Sequence, residues 1–190
     1  MKRNKKNKKQ IIRKLLNKYR WLRVYDRNGH YYRDVAWLYN DYPKGWAKAL
    51  LPLMIQDIHK ELCYTGDVGR FRILDCKEKY GEMRCDHNGQ CSYKVDEIIM
   101  KYAYLSHYTC TICGRPGMMV NSGWIIPMCK SCFDKRGYKK PYEEMTDPDD
   151  YFEPVFEVKI YNKSGVETRE YDVTDIVKRM KPKYRQEINL

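Results

Sequence analysis

Four of the eight cysteines in this 190-residue chain fall into a pattern with chemical meaning. Cys110-Thr-Ile-Cys113 and Cys129-Lys-Ser-Cys132 are two Cys-x-x-Cys pairs with fifteen residues between them. Two residues between sulfurs let one tight turn aim both at a single ion. Four thiolates then complete a tetrahedral Zn²⁺ site, and this spacing falls in the structural-zinc range. With four protein sulfurs no coordination position is left for water or substrate, so the expected site is closed and structural. Gly114 follows the second sulfur and supplies the left-handed conformation that a zinc-knuckle turn favours. Met118 to Val120 and Trp124 to Ile126 flank Asn121-Ser-Gly123, which predicts a small hairpin between the pairs. Ser131 to Arg136 predicts a short helix ended by Gly137. Knuckle, hairpin and helix-borne second pair describe a treble-clef-like zinc ribbon over residues 109–137.

The remaining cysteines are Cys63, Cys76, Cys85 and Cys91, with His87 nearby. Cys85, His87 and Cys91 are candidate ligands of a second site, but their spacing is irregular, and cysteine is also a common buried residue. One zinc is expected.

Two helices must hold this ribbon. Leu50, Leu53, Met54, Ile58 and Leu62 recur at helical spacing and predict a core helix from about Gly45 to Cys63. Pro52 either kinks it or occupies a first turn. Val95, Ile98, Ile99, Tyr102 and Leu105 predict a helix over about residues 94–107 that leads directly into Cys110. Between them Phe71, Ile73 and Asp75 alternate as a strand, Lys77 to Gly81 reads as a turn, and Glu82 to Cys85 as the return strand. Beyond the ribbon, Val155 to Tyr161 and Val166 to Tyr171 predict a hairpin around Asn162-Lys-Ser-Gly165. Thr174 is expected to cap a last short helix to Met180, stopped by Pro182. Tyr25-Asp-Arg-Asn-Gly29 reads as a turn, and the stretch 31–42 is crowded with aromatics. The fold class is α+β: a helix/hairpin core over 26–140, an acidic linker over 141–154, and a hairpin–helix element over 155–190. No internal repeat is present.

Charge is concentrated at one end. The chain carries 37 Lys+Arg against 25 Asp+Glu, a net +12. Lys2, Arg3, Lys5, Lys6, Lys8, Lys9, Arg13, Lys14, Lys18, Arg20 and Arg23 lie within residues 1–25, which hold no acid, so everything after Tyr25 nets +1. Residues 1–9 read as a solvated basic arm. Ile11, Leu15, Tyr19 and Leu22 predict an amphipathic helix from about Gln10 to Val24, with its apolar stripe docked and its basic face outward. Such a cluster attracts phosphate without needing defined geometry, and it reads no base sequence. A solubilising tail or a membrane-surface contact would also carry this charge. The acidic stretch Glu143, Glu144, Asp147, Asp149, Asp150 and Glu153 contrasts with it.

The longest apolar run, Ala49 to Ile55, contains a proline and is far short of the roughly 20 residues of a membrane span. No apolar core of signal-peptide type follows the basic start, so a cytoplasmic protein is expected.

Catalytic patterns are sparse. Treble-clef nucleases place histidines within or beside the zinc scaffold, but residues 114–128 contain none, and His107 precedes the site. His30, His59 and His87 are scattered. There is no phosphate-cradling glycine loop and no nucleophile elbow. Asp75, Glu78, Glu82 and Asp86 interleave with Lys77, Lys79 and Arg84, as on a charged strand face. Arg115, Met118, Met119, Trp124 and Lys130 are candidates for a contact face; the plainer expectation is that Trp124 and the methionines pack against the two core helices.

Gly45-Trp46, Lys77-Glu-Lys-Tyr-Gly-Glu-Met-Arg84, Thr109-Cys-Thr-Ile-Cys-Gly-Arg-Pro-Gly117, Gly123-Trp124 and Cys129-Lys-Ser-Cys132 occur in one order. In this the stretch from Gly45 to Cys132 resembles phage- and prophage-encoded zinc-ribbon proteins of unknown function. Tyr80 and Met83 stand where that pattern has Phe and Leu. The resemblance implies a phage origin, hence the host bacterial cytoplasm, and a small zinc-binding α+β core; it brings no catalytic residue. The expected function is non-enzymatic binding of nucleic acid or nucleoprotein through the basic N-terminal arm. The alternatives are a phage-encoded, anti-CRISPR-like inhibitor that contacts a host defence nuclease or ribonucleoprotein, and a divergent treble-clef nuclease.

Overall fold

The computed structural model describes residues 7–25, 31–32, 42–121, 123–138, 141–142, 152–162 and 165–186. The turn expected at 26–29, His30, most of the aromatic-rich stretch 33–41, the acidic residues of 143–150, and Lys2, Arg3, Lys5 and Lys6 lie outside the described residues.

The first helix, α1, spans Lys8–Lys18 and not Gln10 to Val24. Asn7 starts it early through a capping box: its side chain accepts from the Gln10 N–H at 2.9 Å, while Gln10 Oε1 accepts from the Asn7 N–H at 3.2 Å. Two of the amide hydrogens that a helix start leaves without partners are thereby satisfied. Arg20–Leu22 then form a separate 3-10 turn that buries Trp21 and Leu22. Two short strands follow, β1 (Val24–Tyr25) and β2 (Tyr31–Tyr32), paired antiparallel.

The expected single core helix is two: α2 (Lys44–Ala49) and α3 (Leu51–Thr65). Pro52 sits in the first turn of α3. It has no N–H to give and its ring clashes with a carbonyl four residues back, so the chain breaks at Leu50 and restarts. Gly66, with φ 78°, ends α3 and accommodates the left-handed backbone there.

Hairpin β3 (Ile73–Lys79) and β4 (Glu82–His87) is longer than its apolar alternation suggests. Its turn is only Tyr80-Gly81, and both residues have positive φ, 54° and 83°. That pair of signs matches the twist of the flanking strands, so Lys77 to Lys79 stay in register instead of looping out. Lys77 pairs with Asp75 and Arg84 with Glu82, each at 2.5 Å, as on a charged strand face. Helix α4 (Tyr93–His107) packs on this hairpin, and the Ser106 hydroxyl accepts from the Met83 N–H at 2.9 Å.

Then come β5 (Met118–Asn121), β6 (Ile125–Met128) and α5 (Lys130–Arg136), followed by hairpin β7 (Val155–Asn162) and β8 (Gly165–Asp172), and α6 (Thr174–Arg179). Thr174 is the first helical residue of α6, not its cap. The N-cap is Val173, which offers no side-chain bond; the residue before it, Asp172, accepts from the Thr174 N–H at 2.7 Å. Pro182 opens a 3-10 turn, Pro182–Tyr184.

One large hydrophobic cluster joins both ends of the chain. Ile12 and Leu16 from α1, Trp46, Leu51, Ile55 and Ile58 from α2 and α3, Tyr102 from α4 and Val177 from α6 are all buried in it. Each such aliphatic side chain removed from water contributes about 2 kcal/mol. A polar clamp fixes α6 to this core. The Arg179 guanidinium grips Asp57 with two bonds, at 2.8 and 2.6 Å, and the Tyr102 hydroxyl donates to the same carboxylate at 2.7 Å. A planar guanidinium and a carboxylate match in two places at once, which fixes orientation as well as distance. No helix among the described residues is long and apolar enough to cross a membrane.

Candidate metal centre

The residues after α4 form a turn stitched by its own backbone. Gly114 N–H donates to the Cys110 carbonyl and Cys110 N–H to the Arg115 carbonyl, both at 2.9 Å. Gly114 takes φ 82°, as the knuckle requires. This turn carries Cys110 and Cys113. The second pair sits at the other end of the β5–β6 hairpin: Cys129 is the N-cap of α5, and Cys132 lies in its first turn with its N–H bonded to the Cys129 carbonyl at 2.9 Å. The knuckle is tied to the hairpin because the Thr111 N–H and hydroxyl both donate to the Pro127 carbonyl, at 3.0 and 3.1 Å.

All four sulfurs, from Cys110, Cys113, Cys129 and Cys132, lie within 4.8 Å of one another. Cys113 Sγ and Cys129 Sγ are 3.7 Å apart. A tetrahedron with metal–sulfur bonds of about 2.3 Å has an edge of about 3.8 Å, so the Cys113–Cys129 separation matches one such edge. These cysteines can hold a metal ion.

The electrostatics suit thiolates unequally. Burial pushes the Cys110 and Cys132 thiols up. Burial opposes ionisation of Cys113 too, yet hydrogen bonds from Arg115 outweigh it and hold that thiol down at about 7. The Arg115 N–H lies 3.5 Å from Cys113 Sγ, and its guanidinium lies 3.9 Å from Cys129 Sγ. Main-chain N–H groups of Ile112, Cys113 and Cys129 surround Cys110 Sγ and favour its anion. Four negative sulfurs at this separation repel, and a bound cation turns the repulsion into attraction.

Little apolar burial supports this module by itself. Its cluster consists of Cys110, Val120, Met128, Cys132 and Phe133, with residues such as Tyr142 at the margin. The core reaches it at more than one place, and one of them is a pair that sequence reasoning noted without a role, Gly45-Trp46. The Gly45 N–H donates to the Thr111 carbonyl at 2.7 Å, and the Trp46 indole N–H donates to the Thr109 carbonyl at 2.7 Å. A Cβ at Gly45 would stand 2.0 Å from the Cys110 carbonyl oxygen, so only glycine lets α2 approach the knuckle this closely. The signal was in the pattern itself, a Gly-Trp pair at a helix start that no turn chemistry required.

Trp124 does not pack against the core helices. It is 57% exposed at the β5–β6 turn, beside Tyr80 from the other hairpin. Met118 and Met119 are half-buried.

The remaining cysteines are dispersed. Cys76 and Cys85 face one another across β3–β4. Cys63 lies near the His59 ring at 3.6 Å. Cys91 Sγ is 3.7 Å from His87 Nδ1, but the other ring nitrogen is 2.8 Å from Asp96, pointing away. Burial, then Asp96 and Asp67, pushes the Cys91 thiol up to about 11. Among the described residues no other group of three or more His, Cys, Asp or Glu side chains converges as the four cysteines do.

The described part of the basic segment is helical. Lys9, Arg13, Lys14, Lys18 and Arg20 are exposed and Lys8 is half-buried, while Ile12, Leu15 and Leu16 face the core. In comparisons with known proteins, no family model, no curated protein and no solved structure matches this chain.

Proposed function

We propose that this chain is a zinc-ribbon protein of phage origin that binds nucleic acid or nucleoprotein through its basic N-terminal segment, without catalysis. Zinc suits the donor set, because four soft thiolates in a closed tetrahedron favour a d¹⁰ ion and leave it no site for substrate. The order of knuckle, hairpin and helix supports a treble-clef-like description. In this reading the ribbon is scaffold: Cys110, Cys113, Cys129 and Cys132 hold the ion, and α2 carries the load into the core.

The observation that carries the binding proposal is α1. It buries Ile12, Leu15 and Leu16, has no acidic residue in its first turn, and turns Lys9, Arg13, Lys14 and Lys18 outward. A helix anchored by its apolar stripe presents cations at fixed positions, and phosphate is their general partner. The test is a titration of labelled oligonucleotides against salt. Affinity is expected to fall linearly in log–log form with a slope near −0.9 per phosphate contacted on duplex DNA. Replacing Lys2, Arg3, Lys5, Lys6, Lys8 and Lys9 by glutamine should flatten the slope. A slope of zero in the wild type would sink the proposal.

A second reading, an inhibitor acting by protein–protein contact, draws on a cleft of about 760 Å³ between α4, β4 and β7. Glu82, Asp86, Asp96, Glu153 and Glu157 line it with Arg84. A phosphate backbone would be repelled there, whereas a basic protein surface would not. Recovery of one host protein that survives nuclease treatment of the lysate would favour this reading.

A further inference from the structure

Two hairpins meet at their tips. A Cβ at Gly81 would stand 2.0 Å from Met119 Cε, which places the β3–β4 turn directly on the ribbon hairpin. At this junction Tyr80 is 67% exposed and Trp124 57% exposed. Their rings lie nearly parallel, 18° apart, with centroids at 6.2 Å. Ile125 is also exposed beside Trp124.

The position of Tyr80 is unfavourable for a tyrosine. Among the described residues it is the one non-glycine with positive φ, 54°. An L-residue with a bulky side chain in that region costs about 1 kcal/mol, and Asn, Asp or Gly normally fills such a turn. Burial does not offset the cost, since two-thirds of the side chain faces water. Hydrogen bonds brace the backbone beside each aromatic: the Gly81 N–H donates to Glu78 Oε1 at 2.6 Å and the Gly123 N–H to Asn121 Oδ1 at 3.1 Å. Lys79 Nζ lies 5.6 Å from the Tyr80 ring centroid, and no carboxylate among the described residues forms an ion pair with it.

We propose that Tyr80 and Trp124 form a stacking platform for unpaired nucleobases, with Lys79 supplying a phosphate contact; this rests on the nucleic-acid reading above and specifies single strands. Every base offers a π-face, so such a platform binds without sequence preference. A duplex keeps its bases stacked inside and cannot use it. The cation favours this occupant over an apolar peptide, because a stacked base brings its phosphate with it. The platform spans the core hairpin and the ribbon hairpin, so it exists only while the metal centre holds the ribbon in place.

The test measures binding of a labelled oligo-dT and of a duplex of equal length to the full chain. Variants are Trp124→Ala, Trp124→Phe, Tyr80→Asn, which suits the turn, and Lys79→Gln. Circular dichroism checks that each is folded. Trp124→Ala and Tyr80→Asn are expected to weaken single-strand binding about ten-fold while duplex binding changes less than about two-fold, and Trp124→Phe should restore most of the loss. Equal losses on both substrates, or none, would overturn the platform and leave the nucleic-acid reading standing. Absence of any binding by the wild-type chain overturns both. If Trp124→Ala instead abolishes self-association and leaves oligonucleotide binding unchanged, the patch is a protein interface and the platform is wrong.

Discussion

The helical core and the ribbon are built from the same chain by different physics. The core buries side chains from α1, α2, α3, α4 and α6 in one continuous cluster. The ribbon has two short strands, a two-turn helix and a small cluster that includes two of the four cysteines able to hold a metal. Its apolar cluster is small, while ordering its backbone costs roughly 1–2 kcal/mol per residue. Four sulfurs on a shared ion would close that gap. If a metal binds there, one fold contains a part whose stability follows packing and a part whose stability follows metal occupancy, in close contact where Gly45 meets Cys110.

The largest effect should come from the sulfurs. Stripping metal with a strong chelator, or replacing Cys110 by serine, should remove on the order of 10 kcal/mol of apparent folding free energy from the ribbon. Hydrogen exchange should show β5, β6 and α5 losing protection while α3 and α4 keep theirs. If α3 loses protection in step, the two regions are one cooperative unit and the comparison fails.

The contact at Gly45 is next. Gly45→Ala drives a methyl into the Cys110 carbonyl, where neither backbone can yield. A loss of about 4 kcal/mol is expected in denaturant unfolding. Gly69→Ala, where nothing lies within 4 Å, serves as the control and should move stability by less than about 0.5 kcal/mol.

Inside the core, Ile58→Val removes one buried methylene and should cost about 1 kcal/mol. Metal affinity, measured by competition with a chromophoric chelator, should not change. A shift in that affinity would show that core packing reaches the thiolates.

The smallest effect belongs to Asp172, just before α6. Hydrogen bonds from Thr174 hold the Asp172 carboxyl below its ordinary value of 3.8. A depressed folded-state value stabilises above the unfolded value, and the contribution drains as pH falls through the folded one. Asp172→Ala should therefore cost about 0.5 kcal/mol at pH 7, and the difference from wild type should vanish in acid. A difference that persists at pH 2 would assign the effect to packing.

Much of this molecule is legible locally. The four-cysteine spacing, the knuckle glycine, α4 and α5, and the two longer hairpins follow from periods of 3.6 and 2 and from turn residues a few positions apart. The errors are local competitions. Asn7 captured the start of α1 through its capping box. Pro52 divided the helix that the apolar spacing drew from Gly45 to Cys63, and it took the first-turn position that was one of its two expected places. Tyr80-Gly81 made a two-residue turn where a longer one was expected, because a tyrosine carries no sign of positive φ.

Other features have no local signature at all. Asp57 and Arg179 are 122 residues apart in sequence, and nothing in either neighbourhood names the other. The close approach of Gly45 to the knuckle and the pairing of Tyr80 with Trp124 depend on how two separately formed hairpins and a helix come to rest. By itself the sequence determined which residues can ligate a metal, most of the helical and extended segments, and where the charge lies, since chemistry and backbone periodicity act over a few residues. The tertiary structure alone decided which faces meet, because long-range packing selects among surfaces that are locally equivalent.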